Sequence, residues 1–160
     1  MLNTRGVPNL EMVKKCFPDE QQLVKMKAIV ECYEEIPCNP CSTVCPTNAI
    51  VIGDDINSIP KVYFDKCIGC GLCVVACPGL AIMMSKIEGE KVRFRIPYEF
   101  LPLPKPKDIW NAINREGEVI GTASIEKVIT SPKQDKTVVL EVLVDYSLFY
   151  QFITVRCPDE

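Results

Sequence analysis

The second half of the chain alternates between apolar and polar side chains, which is the pattern of half-buried β-strands. Residues 92–96 alternate strictly, and longer apolar stretches follow at 119–129 and 137–144. Turn-forming residues separate these stretches, and a last apolar segment at 149–155 can pair as a strand or begin as a helix. We therefore predict that residues 85–160 form a β-rich C-terminal extension, a small antiparallel β-barrel or meander.

A proline-rich segment interrupts these strands and predicts a stiff, extended connector. Four prolines fall within residues 97–106, and each fixes φ and removes a backbone donor. Apolar side chains between and beyond the prolines would be displayed to a neighbouring surface. We expect Phe100, Leu101, Leu103 and Trp110 to contact either a partner protein or the chain's own central region.

The sequence of residues 1–26 predicts an N-terminal helical segment, which we call the helical lead. Asn9 and Asp19 each stand just ahead of a short apolar face, and both residue types cap helices. Cys16 lies between the two predicted helices without another thiol at ligand spacing. We expect it to fill space as a small apolar side chain.

Short apolar runs surround the cysteines of the central region, residues 27–84. The runs at 28–33 and 61–64 lead into cysteine clusters, and those at 49–52 and 81–84 lead out of them. Each run predicts a short strand, and each cysteine cluster has room for about one helical turn. Because either half alone buries little apolar area, we expect the two halves to stack on each other.

Cysteine spacing is the strongest chemical signal in the chain. Residues 67–78 read C-x2-C-x2-C-x3-C-P, and residues 38–46 read C-x2-C-x3-C-P. A single shift along the chain superposes the shorter run on the last three cysteines and the proline of the longer one. This constant shift indicates an internal duplication. The same shift places Glu35 on Cys67, so the first run lacks its leading cysteine.

Composition and charge narrow the class of protein. A net charge of -3 and a pI near 5.2 give no electrostatic case for nucleic-acid binding. No apolar run approaches the roughly 20 residues that span a bilayer. The ten cysteines suit metal better than a secreted disulfide scaffold, because many are closely spaced. We expect a cytoplasmic protein in a reducing compartment.

The two cysteine runs resemble the signature of bacterial two-cluster ferredoxins, in which the fourth cysteine of a run serves the other cluster. The resemblance implies an α+β fold with a pseudo-two-fold (βαβ)2 ferredoxin module over residues 27–84. It also implies that Cys45 joins Cys67, Cys70 and Cys73 around one complete [4Fe-4S] cluster.

The second cluster implied by the resemblance has three register-matched thiols, Cys38, Cys41 and Cys77, and its fourth position falls on Glu35. Cys32 could loop in to supply the missing sulfur, because iron prefers thiolate to carboxylate. The repeat, however, aligns Cys32 with an apolar strand position, which favours a buried, inert thiol. A [4Fe-4S] cluster with Cys32, ligation by Glu35, a [3Fe-4S] cluster and an empty site all stay open.

The predicted function is electron transfer. Clusters ligated fully by cysteine have no open position for a substrate, so they carry single electrons. The chain has no dinucleotide-binding or phosphate-binding glycine loop, so we expect substrate oxidation on a partner polypeptide that holds flavin. The first run and the following proline-rich β segment also resemble small ferredoxin-type subunits of flavin-dependent amino-acid dehydrogenases. This resemblance implies an oxidoreductase subunit in a hetero-oligomer, without catalytic activity alone.

Three alternatives remain. The chain could be a freely diffusing ferredoxin, a structural zinc module for protein interaction, or an enzyme that uses an incomplete cluster as a Lewis acid. The helical lead and the β extension favour a fixed subunit, because a diffusing two-cluster ferredoxin needs only the central module. The spacing disfavours zinc, since zinc sites usually pair two C-x2-C knuckles across a longer loop.

Overall fold

The computed structural model describes residues 2–158, in which three short helices lie among the first strands and six antiparallel strands follow. The elements are α1 (Leu10–Cys16), β1 (Lys27–Val30), α2 (Pro40–Thr43), β2 (Ile50–Val51), β3 (Lys61–Val62), α3 (Leu72–Ala76), β4 (Ile82–Glu88), β5 (Lys91–Tyr98), β6 (Ile109–Asn114), β7 (Val119–Ile129), β8 (Val138–Asp145) and β9 (Phe152–Arg156). Single 3-10 turns lie at Gln22–Val24, Pro132–Gln134 and Tyr146–Leu148. No helix among the described residues is long and apolar enough to cross a membrane.

One antiparallel sheet joins the central region to the C-terminal extension. Its strand order is β1-β4-β5-β8-β7-β6-β9, and β2 and β3 form a separate two-stranded ribbon. The mixed α+β fold class is confirmed, and β6, β7 and β8 pair in sequence as the strands of the predicted antiparallel meander do. The predicted closed barrel is wrong. Within residues 2–158 the sheet stays open, because β1 and β9 are its two edges and do not pair.

Strand β4 joins the central region to the C-terminal extension. It runs on to Glu88, so it crosses the predicted boundary at residue 84. Its first half pairs with β1, with Val30 opposite Ile82, and its second half pairs with β5. Both hydrogen-bonding edges of β4 are therefore used, and the sheet continues from the central region into the extension.

Strand β6 was not predicted, although β5, β7 and β8 lie where the alternation placed them. Its sequence carries two asparagines, and its register shifts between Ala112 and Ile113. Because of this shift, the consecutive side chains of Ala112 and Ile113 are both buried. The alternation of buried and exposed side chains that indicates a strand is therefore lost. The segment at 149–155 resolves into a 3-10 turn followed by β9.

The proline-rich segment carries exposed apolar side chains, whereas Trp110 beyond it is buried. Phe100 and Leu101 are 67% and 81% exposed. Trp110, in contrast, is buried, and its ring meets that of Tyr98 edge to face at 6.1 Å. The expectation that Trp110 contacts a partner is therefore wrong, because this side chain belongs to the core.

The helical lead is shorter than predicted. Asn9 caps α1 by accepting a hydrogen bond from the Met12 amide at 2.9 Å. Asp19 likewise accepts from the Gln22 amide at 2.8 Å, but only one 3-10 turn follows. The chain must extend directly afterwards to enter β1, which leaves no room for a second full helix.

The backbone repeats with the same shift as the cysteines. The pair Val30 and Ile82 in β1 and β4 corresponds to the pair Val62 and Ile50 in β3 and β2. The hydrogen bond from the Glu31 amide to the Ala81 carbonyl corresponds to that from the Tyr63 amide to the Ala49 carbonyl. These bonds measure 2.8 and 2.7 Å.

The sheet separates two apolar cores. The larger core lies under β5 to β9 and includes Phe94, which is fully buried with its ring 4.9 Å from that of Phe152. The smaller core lies on the cysteine side. Alternate residues of β4 divide between them: Ile82 and Met84 face the smaller core, and Met83 joins the larger one.

We expect Phe94→Ala to lower the free energy of unfolding by about 3–5 kcal/mol, because it opens a cavity among aromatic rings. Urea denaturation in anaerobic buffer, followed by the fluorescence of Trp110, would measure this loss. Phe100→Ala is the matched control, and it should cost less than about 1.5 kcal/mol, because that ring is mostly exposed and meets the core only through its edge-to-face contact with Tyr98. Equal losses in both variants would contradict the placement of the core.

Candidate metal centres

Four thiols from two parts of the chain surround one cavity, which we call the first cavity. Its lining includes Cys45, Cys67, Cys70 and Cys73, together with Ala28, Ile50 and Met84 of the smaller core. Three of these thiols come from one loop and the start of α3. Cys45 arrives from the other cysteine run, two residues after α2 ends. The structure thus brings together the four residues that the resemblance assigned to one cluster.

A second cavity contains the remaining thiols of the two runs. Cys38, Cys41 and Cys77 line it, and Cys32 lines it as well. Glu35, the repeat equivalent of Cys67, is exposed and does not line the cavity.

The two one-turn helices distribute their cysteines between the cavities. Cys41 lies in α2 and Cys73 in α3, and each faces the cavity of its own run. Cys45 and Cys77 follow four residues later, beyond the end of each helix, and face the opposite cavity. Each short helix ends between its two cysteines, so the first cysteine faces the cavity of its own run and the second faces the other cavity. The resemblance implies this arrangement.

Backbone amides donate to several of the sulfurs. The Ala49 amide lies 3.2 Å from the Cys45 sulfur, and the Ala81 amide lies 3.3 Å from the Cys77 sulfur. These two bonds are again related by the internal repeat. Amide donors stabilise thiolate and thereby tune a metal centre.

Glycines bring the loop of the first cavity close to neighbouring backbone. Gly69 has φ of +74°, and a Cβ there would lie 2.7 Å from the Met26 carbonyl oxygen. Gly71 has φ of +81° and leads directly into α3. Position 69 therefore requires glycine. Any other side chain would clash with the Met26 carbonyl, and residues with a Cβ rarely adopt a positive φ.

Burial and mutual repulsion control the protonation of the thiols. Burial, followed by the nearby thiols of Cys67, Cys70 and Cys45, raises the pKa of Cys73 to about 12. Burial also acts on Cys45, but backbone donors from residues 50, 47 and 49 hold its pKa below the ordinary value. Cys73 would therefore be protonated at neutral pH without a cation, and metal binding must release that proton.

The donor set fits an iron–sulfur cluster at each cavity. Four sulfurs face each space, amides donate to sulfur, and thiolate is the ligand that such clusters favour. Between residues 2 and 158, no group of three or more Cys, His, Asp or Glu side chains is arranged to hold a single metal ion.

Lys27 is a site residue that sequence reasoning missed. Its ammonium donates to the carbonyls of Phe64 at 2.8 Å and of Cys67 at 2.7 Å. Lys27 is only 9% exposed, which is unusual for lysine. The only signal in the sequence is a charged residue at the start of an apolar strand. In the fold it fixes the backbone that presents Cys67 to the first cavity.

The two remaining thiols line neither of these cavities, although Cys16 lies near Cys32 and lines a separate pocket with it. Cys16 and Cys157 pack against the larger core, and the Cys16 thiol donates to the Met12 carbonyl at 3.5 Å. The expectation that Cys16 fills space agrees with this packing.

Comparison with known proteins supports the iron–sulfur interpretation. Residues 60–83 match a family model described as a 4Fe-4S binding domain. The chain is 58% identical over 52 residues to a subunit of the Na(+)-translocating ferredoxin:NAD(+) oxidoreductase complex of Acetobacterium woodii, a match covering 32% of this chain and 15% of that protein. No solved structure matches.

Two further relatives match part of the chain. A subunit of the NADH-quinone oxidoreductase of Pelobacter propionicus is 44% identical over 61 residues, covering 32% of this chain and 33% of that protein. An uncharacterized ferredoxin of Methanocaldococcus jannaschii is 40% identical over 83 residues, 47% of each chain. The chain thus spans less than half the length of these relatives. It carries a 4Fe-4S ferredoxin domain.

We expect Cys45→Ala and Cys77→Ala to damage different centres. Cys45→Ala should disrupt the centre at Cys67, Cys70 and Cys73, and Cys77→Ala should disrupt the centre at Cys38 and Cys41. Each variant should keep about half of the iron, because one four-thiol centre stays intact. Iron analysis and electron paramagnetic resonance of the reduced proteins would distinguish the two centres. The opposite pattern would contradict the exchange of ligands between the runs.

Proposed function

We propose that this chain, which carries a 4Fe-4S ferredoxin domain, is the iron–sulfur electron-transfer subunit of a hetero-oligomeric oxidoreductase. The observation that carries the proposal is the division of eight cysteines into two sets of four around two separate cavities. We further propose that residues 27–84 form a pseudo-two-fold (βαβ)2 ferredoxin module. Strand pairs and amide hydrogen bonds that follow the internal repeat support it.

The first cavity would hold a [4Fe-4S] cluster on Cys45, Cys67, Cys70 and Cys73. The match of residues 60–83 to a 4Fe-4S binding domain supports this assignment for the longer run. The close sulfur–amide contacts in the first cavity support it independently.

The second cavity would hold a cluster on Cys38, Cys41 and Cys77, with Cys32 as the fourth ligand. Cys32 lines that cavity and Glu35 does not, which favours sulfur over the carboxylate. With Cys32 bound the cluster would be [4Fe-4S]. A [3Fe-4S] cluster without a fourth ligand is the competing form.

The chain's own residues would control access to the centres. A bound cubane cluster gains or loses one electron at a time. The smaller core excludes water from the inner side, with Val74 and Met84 fully buried beside the first cavity. On the outer side Cys70 is exposed, next to exposed Ile68 and Leu72. We propose this edge as the place where electrons enter or leave the first centre.

The partner would be a flavin-containing dehydrogenase subunit. Two of the relatives described above bear names of complex subunits, which supports assembly with other chains. Phe100, Leu101 and Leu103 form an exposed apolar strip, 67%, 81% and 41% exposed, that fits contact with such a partner. A freely diffusing ferredoxin is the alternative, and it gives no role to this strip. All ten cysteines are free, which supports a reducing, cytoplasmic setting.

We expect Cys32→Ser to change the type of the second cluster, because serine oxygen is a poorer ligand for iron than thiolate. The reduced four-iron signal should give way to an oxidised three-iron signal in electron paramagnetic resonance. Glu35→Gln is the matched control and should leave both signals unchanged. A change in Glu35→Gln alone would transfer the role to the carboxylate, and no change in either variant would exclude both ligands.

We expect the triple variant Phe100→Ser, Leu101→Ser, Leu103→Ser to lose its partner while keeping its iron. The reason is that these side chains are mostly exposed and line neither cysteine cavity, although the Phe100 ring meets that of Tyr98 edge to face at 5.7 Å. Co-purification of the flavin-containing subunit from the native host, under anaerobic conditions, is the measurement.

The control replaces Leu10, Ile109 and Val119, which are 54%, 56% and 51% exposed on other parts of the surface, by serine. Unchanged co-purification in the first triple variant would contradict the assigned contact. Substitution is a sharper test than deletion of residues 97–160, because deletion would remove β8, the neighbour of β5 in the sheet.

A further inference from the structure

We infer that Arg115 and Glu31 are positioning residues that hold Cys32 at the second cavity, so that the C-terminal extension maintains the fourth ligand of the second cluster. The inference rests on the proposed role of Cys32 as a ligand. It adds that this role depends on an ion pair between residues 84 positions apart in sequence.

The segment around Cys32 lacks the local support that its repeat equivalent has. In the second half of the module, a turn leads into the first cavity, with the Lys66 amide bonded to the Tyr63 carbonyl and the Cys67 amide to the Phe64 carbonyl. In the first half, residues 31–33 belong to no helix, strand or turn. A segment without its own turn needs contacts from elsewhere to keep one conformation.

Both neighbours of Cys32 in the sequence are tied into one polar network. The Glu31 carboxylate accepts two hydrogen bonds from Arg115, one of them from Nε at 2.7 Å. It also accepts a bond from the Tyr33 hydroxyl at 2.9 Å. The Glu31 amide is fixed as well, because it donates to the Ala81 carbonyl at 2.8 Å. Cys32 is thus held from both sides.

Arg115 is itself held firmly within the extension. Its guanidinium donates to the carbonyls of Tyr150 at 2.7 Å and Gln151 at 3.2 Å. The turn that carries it, between β6 and β7, is closed by Asn114, whose side-chain oxygen accepts from the amides of Glu116 and Glu118. The extension therefore presents the guanidinium in a fixed position before it meets Glu31.

Burial makes this ion pair different from others near it. The side chains of Arg115 and Glu31 are 11% and 7% exposed. On the same turn, Glu116 pairs with Arg5, whose side chain is 72% exposed. Removing one partner of a buried pair leaves the other charge without compensation, whereas an exposed pair contributes little. Without Arg115, the Glu31 carboxylate must move toward water, and the adjacent Cys32 must move with it.

The test compares Arg115→Met with Arg5→Met in the full-length, cluster-loaded protein. Both proteins are treated anaerobically with iodoacetamide, and the alkylation of each cysteine is followed by mass spectrometry. A sulfur bound to iron is protected until its segment opens. In Arg115→Met the alkylation of Cys32 should rise about tenfold or more, with an added three-iron signal in electron paramagnetic resonance. In Arg5→Met it should stay within about twofold of the unchanged protein.

Two further variants keep the test decisive if Arg115→Met does not fold. Arg115→Lys retains the charge but cannot form the two-pronged contact, and Glu31→Gln retains the shape but not the charge. Both should raise Cys32 alkylation above that in Arg5→Met, and less than Arg115→Met does where that variant folds. The thiols of the first cavity, Cys67 and Cys73 among them, should stay protected in every variant.

Several results would overturn the inference. Cys32 protection equal to that of Arg5→Met would show that the ion pair does not position the ligand. Simultaneous exposure of both cavities would show a general role in folding instead. If Cys32 is already alkylated rapidly in the unchanged protein, the proposed ligand itself is wrong, and that failure is recognisable before any variant is made.

Discussion

The structure depends on β4, the strand through which the central region and the extension share one sheet and whose residues 82–85 are buried. Its first residues pair with β1 beside the second cavity, and its last residues pair with β5 in the extension. Ile82 and Met84 cover the cysteine side, and Met83 enters the larger core. The pairing and packing of β4 hold its backbone in one position. The backbone beside the thiols is held in place with it, because β4 belongs to both parts of the sheet.

This arrangement compensates for the small apolar core of the cysteine-bearing half. The cysteine-bearing half of the chain has short strands and one-turn helices, and its apolar core is small. Apolar cores of this size give marginal stability, and small natural domains often add metal or disulfides. Here the proposed clusters would fill the interior on one side of the sheet, and the aromatic core around Phe94 and Phe152 stabilises the other side. The extension thus shares one continuous sheet with the cysteine-bearing half.

The same unit offers a route by which the extension could influence one centre more than the other. Lys27, on β1, supports the backbone at Cys67 from within the cysteine-bearing half. Glu31, just beyond β1, instead meets Arg115 from the extension. The two halves of an internal repeat have therefore acquired different supports. The support from the extension falls on the first half of the repeat, which is also the half that lacks its leading cysteine.

The sequence alone determined the features that depend on local spacing. The two cysteine runs and the constant shift between them could be predicted, because cysteines close in sequence must share a loop or a helical turn. The placement of Cys45 and Cys77 at the cavity of the other run was implied only by the resemblance to two-cluster ferredoxins. Tertiary structure decided the rest. The pairing of β4 with β5, the burial of Trp110, the strand β6 and the contact of Glu31 with Arg115 all join residues whose neighbours come from other strands. A periodic pattern shows that a strand has a buried face, but it does not say which other strand or side chain will cover that face.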